Sequence, residues 1–183
     1  MKVEMSVMDF LDRAATVYRD RVAVVDEPDQ PAPGWGELTF AELAGRARAL
    51  AAGLDEMGIG TGERVAMVSH NSARLLNAFW GVSGFGRVLV PVNFRLSAEE
   101  VAYIVEHSGA SVLLVDPELE ATLSGVDAKH RFVIGAEADD ALLRPVVEPR
   151  GWSPDEDATA TINYTSGTTA RPKGVQLTHR NIG

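Results

Sequence analysis

Apolar residues recur along the chain in two alternating spacings: steps of three and four over long stretches, and short unbroken runs between them. The first spacing marks amphipathic helices, and the second marks strands buried on both faces. Ser6-x-x-Asp9 opens a helical stripe through Val7, Phe10, Leu11, Ala14, Val17 and Tyr18, and Val22–Val25 follows as a short buried strand. Three prolines and two glycines make residues 28–36 a loop. Thr39-x-x-Glu42 spells a capping box, in which each side chain satisfies a free backbone N–H at a helix start. Behind it Leu43, Ala47, Leu50, Leu54 and Met57 keep helical spacing until Gly58 stops the helix.

The alternation continues with a strand at 64–69 and a helix capped by Asn71 or Ser72, whose buried side carries Leu75, Leu76, Phe79, Trp80 and Val82. A strand at 88–91 precedes a second capping box, Ser97-x-x-Glu100, and a helix through Val101, Ile104 and Val105. That box and the helix dipole account for Glu99 and Glu100 better than acid–base chemistry does. Strands follow at 111–115, closed by Asp116-Pro117, and more weakly at 131–134; residues 148–157 form a polar surface connection before a strand at 159–164. Strands alternating with helices of this length predict an α/β fold around a mostly parallel sheet.

Composition narrows the chemistry. The 183 residues suit one ordinary domain, and 45% apolar with 23% charged residues excludes a disordered or fibrous chain. A net charge of −9 argues against non-specific binding to nucleic acid or anionic lipid, although a few local donors can still hold a nucleotide. The absence of cysteine excludes disulfides, thiolate metal sites and a cysteine nucleophile. The N-terminus lacks the apolar core of a signal peptide, and no apolar run approaches the ~20 residues of a membrane helix, so a cytoplasmic protein is expected.

One loop carries the candidate chemistry: Tyr164-Thr165-Ser166-Gly167-Thr168-Thr169-Ala170-Arg171-Pro172-Lys173-Gly174-Val175. Hydroxyls and backbone N–H groups donate to phosphate oxygens, Gly167 allows close backbone approach, and Lys173 adds a mobile positive charge. Composition alone would favour a flexible linker. Its position between two apolar segments, and the stiff charged Pro172-Lys173-Gly174, favour a phosphate cradle instead. The loop is not that of P-loop NTPases, which place glycine before the lysine and Ser or Thr after it.

Residues 165–174 closely resemble the Thr-Ser-Gly-Thr-Thr-Gly-x-Pro-Lys-Gly signature of adenylate-forming enzymes, the family of acyl-CoA synthetases, aryl-CoA ligases, luciferases and peptide-synthetase adenylation domains. Val88-Leu89-Val90-Pro91-Val92-Asn93-Phe94-Arg95-Leu96, the stretch 97–115, and Thr178-His179-Arg180-Asn181 extend the resemblance over nearly the whole chain. It implies part of the large N-terminal domain: an α/β subdomain at 1–158, then strand, phosphate loop and the start of the next segment at 159–183. It also implies an acyl-CoA ligase reaction, in which ATP converts a carboxylic acid to an acyl-adenylate and coenzyme A or a related thiol takes the acyl group. Thr165, Ser166, Gly167, Thr168, Thr169 and Lys173 would hold the β- and γ-phosphates with Mg²⁺. No catalytic residue or metal ligand is assigned within the chain.

In the resemblance, the acyl pocket, the acid that holds the ribose, the Mg²⁺-binding glutamate, the hinge and a C-terminal lysine all lie downstream. The expected partners are therefore a small carboxylic acid and the C-terminal remainder of the enzyme, in the same polypeptide or as a separate chain, with a homodimer as a further option. Ala170 stands where the signature usually has glycine, which restricts the backbone there. Two alternatives stay open: a non-catalytic nucleotide-binding module, and a relative that only transfers a preformed acyl-adenylate. His70, His107 and His130 lack partners at metal-ligand spacing and read as structural or solvent-exposed, His179 lies close enough to the loop to be weighed as a contact with substrate or loop, and Trp35 and Trp152 have no assigned role.

Overall fold

A computed structural model of the protein describes residues 4–165 and 171–183. In chain order the elements are α1 (Met8–Val17), β1 (Val22–Val25), β2 (Glu37–Thr39), α2 (Phe40–Glu56), β3 (Arg64–Val68), α3 (Ala73–Ala78), β4 (Val88–Val92), α4 (Ala98–Ser108), β5 (Val112–Val115), β6 (His130–Val133), α5 (Ala136–Leu142), β7 (Thr159–Thr165), β8 (Lys173–Thr178) and α6 (His179–Ile182). A six-stranded sheet runs in the order β6-β5-β3-β4-β7-β8. Its ladders are parallel except for the antiparallel hairpin β7–β8. The α/β architecture around a mostly parallel sheet is thus the one that the alternation predicts.

Successive side chains of a strand point to opposite faces, and the unbroken apolar runs supply both cores at once. Val65 and Met67 of β3 and Val112 and Leu114 of β5 face one cluster, with Leu50 and Leu54 of α2 and Ala138 and Leu142 of α5. Ala66 and Val68 of β3 and Leu113 and Val115 of β5 face the other, with Val101, Ile104 and Val105 of α4. Helices on both faces of parallel strands are what such runs require. A smaller cluster packs Met8 and Leu11 of α1 on Leu43, Ala44 and Ala47 of α2.

Both capping boxes form as read. Glu42 N–H donates to Thr39 Oγ1 (3.2 Å) while Thr39 N–H donates to Glu42 Oε2 (2.8 Å), and Ser97 and Glu100 repeat the exchange at the start of α4. Ser72 is the cap of α3, accepting from Leu75 N–H at 3.2 Å.

Four expectations change. Val22–Val25 is a strand but not a buried one: it pairs antiparallel with β2 in a separate ribbon, with Val22 and Val25 exposed. In α1 the buried side is Val7, Met8 and Leu11, whereas Phe10, Val17 and Tyr18 are exposed. The third helix is buried on more than the expected side: Ala73, Arg74, Asn77 and Ala78 are buried along with the expected Val82, while Leu75, Leu76, Phe79 and Trp80 are partly buried against core clusters. It continues as a π-helical turn, Phe79–Ser83. Arg74 goes inside because it pairs with Asp139 (2.7 Å) and donates to the Pro33 carbonyl (2.7 Å), which satisfies its charge. The fourth change is α5, which the apolar pattern does not announce.

Candidate phosphate-loop site

The candidate loop leaves the carboxyl end of β7, the end of a parallel sheet beyond which open α/β folds hold their ligands. Strand β7 reaches the sheet through β4, with Leu89 in register with Thr161. Beyond Thr161 the hairpin continues on its own ladder: Ile162 with Gln176, Asn163 with Val175, Tyr164 with Gly174, and Thr165 with Lys173. Thr165 and Lys173, eight positions apart in sequence, are therefore brought side by side as the last and first residues of their strands. Both are exposed. Lys173 makes no ion pair among the described residues, so its ammonium group is available to an anion. Arg171, two residues before it, is also exposed. Ser166, Gly167, Thr168 and Thr169, together with Ala170, lie outside the described residues.

The pairing has a local cause. Gly174 lies flat against Tyr164: a methyl group at that position would come within 3.0 Å of Ile162 Cγ2 and 3.1 Å of the Tyr164 ring. The glycine after the lysine thus lets a bulky aromatic residue close the base of the hairpin. Burial, with a smaller contribution from Tyr103, raises the pKa of the Tyr164 hydroxyl, so it keeps its proton. That hydroxyl hydrogen-bonds His107 Nδ1 at 2.9 Å. His107 in turn stacks on Tyr103, one helical turn earlier on α4, with ring centroids 5.2 Å apart. Across the loop, the Arg171 guanidinium lies over the Tyr103 ring, 5.2 Å from its centroid. Tyr103 had no role assigned from sequence and His107 none in a site; the available signal was an aromatic residue and a histidine at i and i+4, on one side of a helix.

The other histidines resolve individually. His70 contacts Glu118 at 2.6 Å and packs against Phe94, with ring centroids 4.0 Å apart. His179 stands at the far end of β8 from the loop and is 3% exposed. Its Nδ1 accepts the Val7 N–H at 3.1 Å, so its proton in the neutral form sits on Nε2, which has no protein partner. Burial lowers its pKa, against the opposing pull of the Asp155 and Asp9 carboxylates. Trp152 covers it at 5.4 Å and donates its indole N–H to the Gly84 carbonyl. Trp35 donates to Asp139 (3.0 Å) and lies within cation–π distance of Arg46 and Arg74. Both tryptophans, idle in the sequence, fasten loops to the body.

Among the described residues no group of three or more His, Asp or Glu side chains is arranged to hold a metal ion. Nor is any described helix long and apolar enough to cross a membrane.

Known proteins resemble this chain closely. A long-chain-fatty-acid–CoA ligase of Thermus thermophilus is 38% identical over 194 residues, covering 100% of this chain and 35% of that protein. A feruloyl-CoA synthase of Amycolatopsis is 39% identical over 150 residues, covering 81% of this chain and 30% of that protein. The chain therefore spans about a third of the length of these relatives. The crystal structure of an anthranilate–CoA ligase in complex with anthranoyl-AMP shares the fold, with a TM-score of 0.85 at 24% identity, over 98% of this chain and 36% of that one. The family model for AMP-binding enzymes matches residues 11–183, which include the hairpin and both ends of its loop. The chain belongs to the AMP-binding enzyme family and forms an N-terminal part of its fold.

Proposed function

We propose that this chain is the N-terminal part of an acyl-CoA synthetase. In the complete protein a carboxylate oxygen attacks the α-phosphorus of ATP, pyrophosphate leaves, and the acyl-adenylate gives its acyl group to the sulfur of coenzyme A as AMP departs. The observation that carries the reading is the hairpin: Thr165 and Lys173 stand in register at the mouth of the loop, both exposed, in a chain matched by the AMP-binding family over 11–183. A hydroxyl and an ammonium group so placed suit the β- and γ-phosphate oxygens, and Ser166, Gly167, Thr168 and Thr169 are proposed to complete the cradle. Charge-assisted hydrogen bonds of this kind are worth about 1.5–3 kcal/mol each. Mg²⁺ would neutralise phosphate charge, held through those oxygens and through ligands supplied by the rest of the enzyme.

The remainder of the protein has a surface to meet. Leu75, Leu76 and Phe79 of the third helix line an open apolar groove with Leu89, Leu177 and Ile182. Its lining fits the packing of further polypeptide, in line with relatives about three times as long as this chain. The relatives named above act on long-chain fatty acids and on ferulate, so the acid itself follows from that missing part. Cytoplasmic residence goes with ATP and coenzyme A as substrates. Acid-dependent exchange of pyrophosphate into ATP by the full-length protein tests the proposal. Absence of exchange across aliphatic and aromatic acids, in a protein that binds ATP, would replace it with a nucleotide-binding module.

A further inference from the structure

The hairpin that carries the loop joins the sheet through β7, which runs beside β4. Its register with β4 is the single pair Leu89–Thr161, and β8 lies at the outer edge of the sheet. From Ile162 to Thr165, and from Lys173 to Gln176, the two strands pair only with each other. An antiparallel ladder fixes the distance between Thr165 and Lys173. It does not by itself fix where the pair points, because the ladder with β4 pairs Thr161 and not the residues beyond it, and strands twist toward their ends.

Helix α4 supplies what the ladder lacks. Its residues Tyr103 and His107 lie one turn apart on the side facing the hairpin. Before the loop, the Tyr164 hydroxyl meets His107 Nδ1 at 2.9 Å, and the two rings pack edge to face at 5.8 Å. After the loop, Arg171 lies over Tyr103. The stacking of Tyr103 on His107 joins the two moorings into one unit. Helix α4 is itself anchored, with a complete capping box at Ser97 and with Val101, Ile104 and Val105 in the core. We propose that Tyr103 and His107 are positioning residues, which hold both ends of the loop against α4 and so aim Thr165 and Lys173 at the nucleotide phosphates. The consequence for ATP rests on the function proposed above; the mooring itself does not.

Four variants of the full-length protein test this: Tyr164→Phe, which removes only a hydroxyl; Tyr103→Leu, which removes the platform under Arg171; and His107→Leu beside His107→Gln, whose amide oxygen can still accept from Tyr164. Amide hydrogen exchange without nucleotide reads the mooring directly. Thr165 and Gly174 are expected to exchange faster in Tyr164→Phe, Tyr103→Leu and His107→Leu, and near the parent rate in His107→Gln. The KM for ATP is expected to rise about two- to tenfold in the same three, the range of one lost hydrogen bond, with the KM for the acid and the melting temperature unmoved. Unchanged exchange in all four overturns the proposal. So does a fall in melting temperature that tracks the KM without rescue by glutamine, since that pattern marks a merely structural role. Faster exchange in those three variants, when the parent protein itself does not use ATP, leaves the mooring standing and removes the function proposed for it.

Discussion

Lys173 has an exposed ammonium group with no described ion-pair partner, held in register with Thr165 by a two-stranded ladder. In the full-length protein Lys173→Ala is expected to lower kcat/KM for ATP by about 1–3 kcal/mol, one charge-assisted hydrogen bond. Stability should stay within about 0.5 kcal/mol, as for most surface substitutions; steady-state kinetics beside a melting curve separate the two. The candidate cradle could be proposed from sequence because its residues are local: hydroxyls, glycine and lysine follow one another. His179 was not legible, because its partner Val7 lies 172 positions away. Its folded pKa lies below the ordinary value of 6.5 through burial. As the pH falls below 6.5 the unfolded chain therefore takes up a proton that the folded chain refuses. The stability tied to neutral His179 is fully present above that pH and declines below it. The urea midpoint of the parent should fall over this window; in His179→Gln, which cannot titrate but can accept from Val7 N–H, this component of the slope should vanish.

Among the elements, the starts and the buried faces of α2 and α4 were legible, and the buried faces of α1 and α3 were not. Ser-x-x-Glu and Thr-x-x-Glu name their own hydrogen bonds, and both boxes stand in the structure. Ser97→Ala should cost about 1 kcal/mol, measured by denaturation. The Val-Ala-Val-Val run of β1 is apolar enough for a core strand, yet it lies in an outer ribbon, because periodicity reports how strands alternate and not which sheet they join. In α3 the inward side was misread because Arg74 is buried by a partner on α5, a helix with no strong apolar stripe of its own. The contact between α2 and α5 gives a sharper prediction. A helix-interior glycine normally costs about 1 kcal/mol against alanine, so Gly53→Ala would ordinarily stabilise α2. Here a methyl group on Gly53 would overlap the Leu142 carbonyl of α5. Gly53→Ala is therefore expected to destabilise by about 1–3 kcal/mol, the usual scale of overpacking, and a raised urea midpoint would show that α5 moves aside at no cost.

At the scale of the molecule, the 183 residues alone are expected to show no acid-dependent pyrophosphate exchange: the proposed phosphate loop would be one corner of a site, and the chain spans 35% of its Thermus relative. Exchange by a sample whose intact mass corresponds to this chain alone would refute this. The acid net charge, legible at once, bears on solubility and says nothing of the loop, where Arg171 and Lys173 gather locally. The open edge of β8 and the apolar groove beside it bear on biosynthesis. In a polypeptide of the relatives' length, made from its N-terminus at about 5–20 residues per second, this sheet leaves the ribosome tens of seconds before synthesis is complete. Throughout that interval an open strand edge and an uncovered groove face solvent, and edges of this kind seed association between nascent chains. Lys173, whose charge is proposed to serve ATP in the finished enzyme, sits at the start of that strand and opposes such pairing from the moment it emerges.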